Sequence, residues 1–396
     1  MTSGARPAVP ESFLAAIDRL HEEAIATTGL ADFGDPTYLE ALRRLLGCYD
    51  RESRLGPEGR ASTWEALGQQ LASRLRSNAR FALHADRLRY AIDRPIVITG
   101  MSRTGTTALH KLLAADPDAQ SLEYWLGCDP DVRPPRASWP THPGYRAAED
   151  ALRRIYAHTP EIEKIHSMQP DEADECRLLF LQDFLGFTYS MNATLPSYEA
   201  WLLKQDMGAP YLRYRDNLKL IGAAEPQKRW VLKNSSHLWA LEELFAALPG
   251  ACVVHTHRHP GALIPSLSSL VHRMRSIYEP GAPKQAVGPQ MLELWRRVLE
   301  MNMASRRSLG VRVFDLHFEN FTRDPIGSVR AVYAFFDFPW TERAERDVRA
   351  WAEENRRGEP GEHRYSAEEY GLSDALIDER FADYIAWQDR ILKEKP

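Results

Sequence analysis

Apolar residues recur every three or four positions through three stretches near the start of the chain: "SFLAAIDRLHEEAIATTGL", "PTYLEALRRLLGCYDRES" and "STWEALGQQLASRLRSNARFALHADRL". That period predicts amphipathic helices from Glu11 to about Tyr90, behind a short frayed tail, with Ser62 and Glu65 spaced as a capping box. The texture then changes. "RPIVITG" is a β-branched run ended by glycine, the form of a buried strand, and "TTALHKLLAADP" after it reads as a helix stopped before Pro117. "RWVLKN" (229–234), "ACVVHTHR" (251–258) and "VRVFDLHFE" (311–319) are further buried-strand candidates, separated and followed by helical patterns. Alternating strands and helices predict an α/β fold of three layers with a central parallel sheet. Residues 1–92 form a helical N-terminal extension to a domain spanning 93–396. Residues 124–228, helical and rich in aromatics, interrupt the alternation as an insertion.

Composition narrows the function classes. The chain has 396 residues, 44% of them hydrophobic, and a formal net charge of −5, so no global basic field points to nucleic acid. The four cysteines, Cys48, Cys128, Cys176 and Cys252, lie far apart with no C-x-x-C spacing, which predicts free thiols in a reducing compartment. Neither a charged-then-apolar leader nor an uncharged run of membrane-spanning length is visible, so the expectation is a cytoplasmic protein without stable membrane insertion.

The turn between the first strand and its helix carries the chemistry. In "ITGMSRTGTTALHKLL" Gly100 and Gly105 have the spacing of a phosphate-binding loop, but Thr106 stands where a nucleoside triphosphatase needs lysine. No strand ends in the acidic residue that would hold magnesium. A glycine-rich turn running into a helix N-terminus still offers backbone N–H groups and a positive dipole end to an anion, and Thr106 and Thr107 add hydroxyls. The loop suits an anion other than a magnesium triphosphate, with Arg103 as its cation.

"SRTGTTALHKLL" resembles the 5′-phosphosulfate loop, P-[KR]-[ST]-G-T-T, of the sulfotransferases that use 3′-phosphoadenosine 5′-phosphosulfate (PAPS); Ser102 replaces the proline. The resemblance implies that Arg103, Thr104, Gly105, Thr106 and Thr107 hold the 5′ side of the donor. Three further segments follow in family order. "VVHTHRHPGALIPSLSSL" places Arg258 at a strand end and Ser266 eight residues on, as in the family's 3′-phosphate motif, although Pro265 threatens to shift the helix start. "HFENFTRDP" puts Phe318 where an aromatic ring packs against adenine. "NRRGEPG" puts Arg356, Arg357 and Gly358 on the late segment that closes over the 3′-phosphate. Lys233, 25 residues before Arg258, matches a strand-end lysine aimed at the 5′ side. The implied reaction moves a sulfuryl group from PAPS to a hydroxyl or amine and needs no metal.

The general base is open. Small-molecule members carry a histidine two residues after that lysine, where this chain has Ser235. Glu123, near a position used by tyrosine-sulfonating members, is the first choice, with His237 and His166 in reserve. His255, His257 and His259 alternate and would share one strand face, but they bracket the cationic Arg258, which argues against a metal. The rings of 124–228, among them Tyr124, Trp125, Trp139, Tyr156, Phe180, Phe184, Phe187, Tyr189, Tyr198 and Trp201, suggest a hydrophobic or aromatic small-molecule acceptor. A P-loop nucleotide kinase or NTPase and a non-catalytic nucleotide-binding protein are the competing readings. An acceptor hydroxyl activated for elimination is a variant of the first. Oligomeric state leaves no signature in the sequence.

Overall fold

The computed structural model describes residues 8–165, 167–355 and 366–393. Its centre is a five-stranded, wholly parallel sheet: β1 (Ile96–Gly100), β2 (Ala119–Ser121), β3 (Arg229–Lys233), β4 (Cys252–His257) and β5 (Val313–His317), in the order β2-β3-β1-β4-β5. Alternate residues face opposite sides, and both sides are dry. Ile96, Ile98, Val231, Val254 and Leu316 pack against Leu109, Leu112, Val329, Val332 and Val348 of helices on one side. Val97, Leu232, Val253 and Val313 pack on the other, with Leu244, Leu263, Leu267 and Leu299. This two-sided burial explains why four strands read as continuous apolar runs.

β2 is the strand that the hydrophobic pattern does not announce. Its three residues, Ala-Gln-Ser, pair with Arg229–Val231 at the sheet edge, too short and too polar for a periodic signal.

The first part of the chain holds three helices: α1 (Ile17–Thr28), α2 (Tyr38–Glu52) and α3 (Pro57–Leu83). The capping box is not used. α3 starts at Pro57 with Gly56 as its N-cap, leaving Ser62 inside the second turn, because proline is preset for the first helical position. Leu20, Leu45, Leu67 and Leu71 of these helices share one core with Trp125, Phe180 and Tyr198 of the aromatic insertion. A polar clamp joins the same two regions. Arg74, 1% exposed, donates to the Asp183 carboxylate (2.6 Å) and the carbonyls of Gln182, Phe33 and Asp35.

Most of the insertion's aromatic rings are core. Trp125 packs on Trp139, His142 and Tyr145, and the Tyr198 hydroxyl donates to the Phe184 carbonyl. No helix among the described residues is long and apolar enough to cross a membrane.

Candidate active site

β1 is central and its flanking strands lead opposite ways, so the turn after it lies at the topological switch point where open α/β sheets bind ligands. Gly100 makes the turn possible, at φ 150°. A Cβ there would lie 2.2 Å from the Thr256 hydroxyl and 2.8 Å from its carbonyl oxygen. Thr104 closes the loop by donating to the Met101 carbonyl (2.6 Å) and meeting the Thr256 hydroxyl (2.6 Å). Arg103 (φ 75°) and Gly105 (φ 83°) both take the left-handed conformation. That conformation is unfavourable for arginine and is kept at sites the surroundings over-determine. α4 (Thr106–Ala114) starts at once, so its unpaired first-turn N–H groups border the loop.

Four expected donor-site residues converge on this loop. Arg103 donates through Nε to the Ser266 hydroxyl (3.3 Å). Arg258, just past β4, donates to the Arg103 carbonyl (3.2 Å), and its guanidinium lies 4.6 Å from the centre of the Phe318 ring. Phe318 opens a short helix immediately after β5 and borders Gly105, whose added Cβ would sit 3.3 Å from that ring. Pro265 does not move the start of the helix Pro260–Tyr278. Pro260 occupies its first turn and the His259 ring accepts the Gly261 N–H (3.2 Å). His259 is therefore a helix cap outside the strand, and the alternation of His255 and His257 stops before it. Arg356, Arg357 and Gly358 lie outside the described residues, as does His166.

On the β3 side of the loop, Lys233 is 3% exposed. Its ammonium donates to the Thr107 hydroxyl (3.3 Å) and forms a close ion pair with Glu175. Glu175 is the functional candidate that sequence reasoning missed. Its surroundings are zipped together from both sides: Asp174 N–H donates to the Leu122 carbonyl (2.7 Å) and Cys176 N–H to the Lys233 carbonyl (2.9 Å). Arg177 stands 3.9 Å away. In sequence Glu175 ends the acidic run "DEADE", which reads as solvated surface; only contact with a strand-end lysine singles it out.

The two described residues considered as bases are engaged elsewhere. Glu123 is buried and its carboxylate accepts from Arg133 (2.9 and 3.2 Å), which also donates to Gln120 and the Ser121 carbonyl. The expected pocket beside Tyr124 and Trp125 is packed core around a buried ion pair. His237 is buried, shares a 2.7 Å hydrogen bond with the Tyr211 hydroxyl, and burial pushes its pKa down to about 3.

His255, His257 and Asp315 are placed as a metal triad would be. Arg306, however, already forks onto Asp315 (2.6 and 2.9 Å), and His257 bonds both Asp315 (2.9 Å) and the Tyr384 hydroxyl (2.8 Å). The carboxylate's charge is balanced, and a divalent ion would sit beside a guanidinium.

A narrow crevice with a cavity volume of about 10 Å³, room for about one water, lies beside the end of β3, lined by Arg177, Phe180, Leu185, Met207, Tyr211, Asn234 and Trp239 among others. Phe180 and Tyr211 are the rings of 124–228 that line it. A larger groove, against Glu300, Arg307, Asp383 and Trp387, is lined by none of the donor-site residues.

Comparison with known proteins agrees with this geometry. A sequence model described as "Sulfotransferase family" matches residues 95–342. Curated proteins from Mycobacterium bovis and Mycobacterium tuberculosis, each named omega-hydroxy-beta-dihydromenaquinone-9 sulfotransferase Stf3, are 24% identical over 253 residues, 61% of this chain. The match spans 62% of the length of those relatives. The crystal structure of sulfotransferase STF1 from M. tuberculosis H37Rv is 35% identical and covers 94% of this chain and 100% of its own, with a TM-score of 0.85. Sulfotransferase STF9 from Mycobacterium avium, 24% identical, covers 97% and 98% with a TM-score of 0.86, a likeness of fold. The P-loop-like α/β architecture is thus shared along nearly the whole chain. With a family match over more than half of its residues and a 35%-identical solved relative aligned along almost all of them, the chain belongs to the sulfotransferase family.

Proposed function

We propose that this chain transfers the sulfuryl group of PAPS to the hydroxyl of a largely apolar small molecule, releasing adenosine 3′,5′-bisphosphate. The observation that carries this reading is the convergence of Arg103, Ser266, Arg258 and Phe318 on a phosphate loop without a lysine. In this reading the loop amides and Thr104–Thr107 hold the 5′-phosphosulfate, Arg258 and Ser266 take the 3′-phosphate, and Phe318 meets the adenine. Arg356, Arg357 and Gly358 belong to the same proposal from their sequence alone. The four cysteines are all free thiols, which supports a cytoplasmic setting.

Glu175 replaces Glu123 as the proposed proton acceptor, and Glu123 becomes a positioning residue through Arg133. In the transfer, the acceptor oxygen forms a bond to sulfur while the bond from sulfur to the bridging phosphate oxygen breaks. The acceptor's proton goes to the Glu175 carboxylate. Lys233 and Arg103 offset charge gathering on the leaving oxygen, a role that in-line transfer assigns to fixed cations. No resident metal enters this scheme.

Calorimetry tests the donor half. Adenosine 3′,5′-bisphosphate is expected to bind in preference to magnesium-ATP, and Arg258→Ala to weaken it by about 10- to 100-fold, the range for losing a charged hydrogen-bond donor. Preference for ATP, or indifference to the Arg258 change, refutes the assignment.

A further inference from the structure

We infer that the C-terminal helix, Ala382–Lys393, supports the donor site: Tyr384, acting through His257, aims Arg258 at the 3′-phosphate. Tyr384 and His257 are positioning residues. This inference rests on the sulfuryl-transfer reading.

Arg258 carries a long side chain on a root just outside β4, where the strand ladder no longer holds it. The last register pair of β4 and β5 is His257 with His317, and the next residues are Arg258 and Phe318. The aim of the guanidinium therefore depends on how firmly His257 is held. Its imidazole is fully buried and tied at both nitrogens. Asp315 accepts the fork of Arg306, so it faces His257 as an acceptor too, and Nε2–H donates to it (2.9 Å). Nδ1 is then the accepting nitrogen, and the Tyr384 hydroxyl donates to it (2.8 Å). The circuit closes on the same helix. The Arg306 guanidinium lies 4.9 Å from the centre of the Trp387 ring.

A second contact reaches the other side of Arg258 in sequence. The preceding helix, Asp374–Arg380, brings the Asp378 carboxylate 3.8 Å from where a Gly261 Cβ would lie, three residues after Arg258. Buried ion pairs add little net stability over apolar packing of the same volume, so stability alone does not account for this circuit. What it supplies is a single geometry. Apolar neighbours would let the end of β4 settle in several ways, whereas hydrogen bonds at both ring nitrogens admit one. A side chain that grips a ligand needs its root locked by groups that never touch that ligand. Tyr384 and His257 meet that need for Arg258.

Calorimetry on the full chain compares adenosine 3′,5′-bisphosphate with adenosine 5′-monophosphate, which lacks only the 3′-phosphate. The wild type is expected to prefer the bisphosphate by about 10- to 100-fold, the range for one charged hydrogen-bond partner. Tyr384→Phe keeps the ring and removes the donor. His257→Gln keeps a donor for Asp315 and removes the acceptor for Tyr384. Each should cut the preference about fivefold while monophosphate affinity holds, the effect of one net hydrogen bond. In a chain already carrying Arg258→Ala, neither substitution should change either affinity, because the effect travels through Arg258. A preference that survives either substitution, equal weakening of both nucleotides, or the same loss in the Arg258→Ala background overturns the inference. A wild type without the preference overturns the sulfuryl-transfer reading instead. Hydrogen exchange, which needs no nucleotide, then decides the inference: in Tyr384→Phe residues 257–262 should exchange faster while 96–100 do not. Unchanged exchange at 257–262, or acceleration in both segments, overturns it.

Discussion

In the proposed scheme, Lys233 and Glu175 carry the charge and the proton. An ammonium held 3% exposed between a carboxylate and the Thr107 hydroxyl is fixed in place, which is what the proposed scheme asks of the cation beside the leaving oxygen. The paired carboxylate stays within reach of a proton released on the acceptor side. Replacing Glu175 with glutamine keeps the shape and removes the proposed base. Turnover should fall by about 10²- to 10⁴-fold while the calorimetric affinity for adenosine 3′,5′-bisphosphate holds. An unchanged rate would return the role of base to another group. Arg103, Arg258, Ser266 and Lys233 were open to proposal from the sequence because each stands at a fixed offset from a strand end or a glycine turn. Glu175 was not, since its partner lies 58 positions away and no local pattern distinguishes it from Glu172, which pairs with Lys111. Glu123 looked equally good in sequence, and only the fold shows it spent on Arg133.

Among elements, the four longer strands and the helix after the phosphate loop were readable because burial on both faces writes an unmistakable apolar run. β2 was not, because edge pairing through backbone groups needs no such run. The N-terminal helices were legible as helices, but their task was not. Arg74 of α3 ties that layer to Gln182 and Asp183, two and three residues beyond the crevice residue Phe180. Arg74→Ala should strand the Asp183 carboxylate in the interior and cost about 3–5 kcal/mol in denaturant unfolding. Faster amide exchange across 181–187 should accompany it. A stability loss below about 1 kcal/mol would mean that the clamp is incidental.

For the molecule as a whole, several imidazoles are held neutral inside the fold. Burial lowers the pKa of His110 to about 4 and that of His237 to about 3, and it holds His255 well below the ordinary value, with His257 and Arg306 adding to the effect. The unfolded chain takes up these protons near pH 6.5 while the folded chain does not, so stability falls as pH drops below that value. Glu199 works in the opposite sense, its pKa raised to about 7 by burial, which weakens the slope without removing it. His237→Gln isolates one contribution: between pH 7.5 and 5 the variant should lose about 2 kcal/mol less than the wild type in urea titrations. Equal losses would mean that His237 does not titrate on unfolding.

The end of β3 carries a consequence for how such a protein can change. Lys233, Asn234 and Trp239 hang from one short piece of backbone, pinned by Asn234 N–H on the Ile98 carbonyl and Cys176 N–H on the Lys233 carbonyl. Side chains on a strand alternate, so sliding this piece by one residue would turn the ammonium from the loop to the opposite layer and carry the amide and indole with it. Insertions and deletions within β3, residues 229–233, should therefore be absent from working relatives. Change in this strand is confined to exchanging side chains in place.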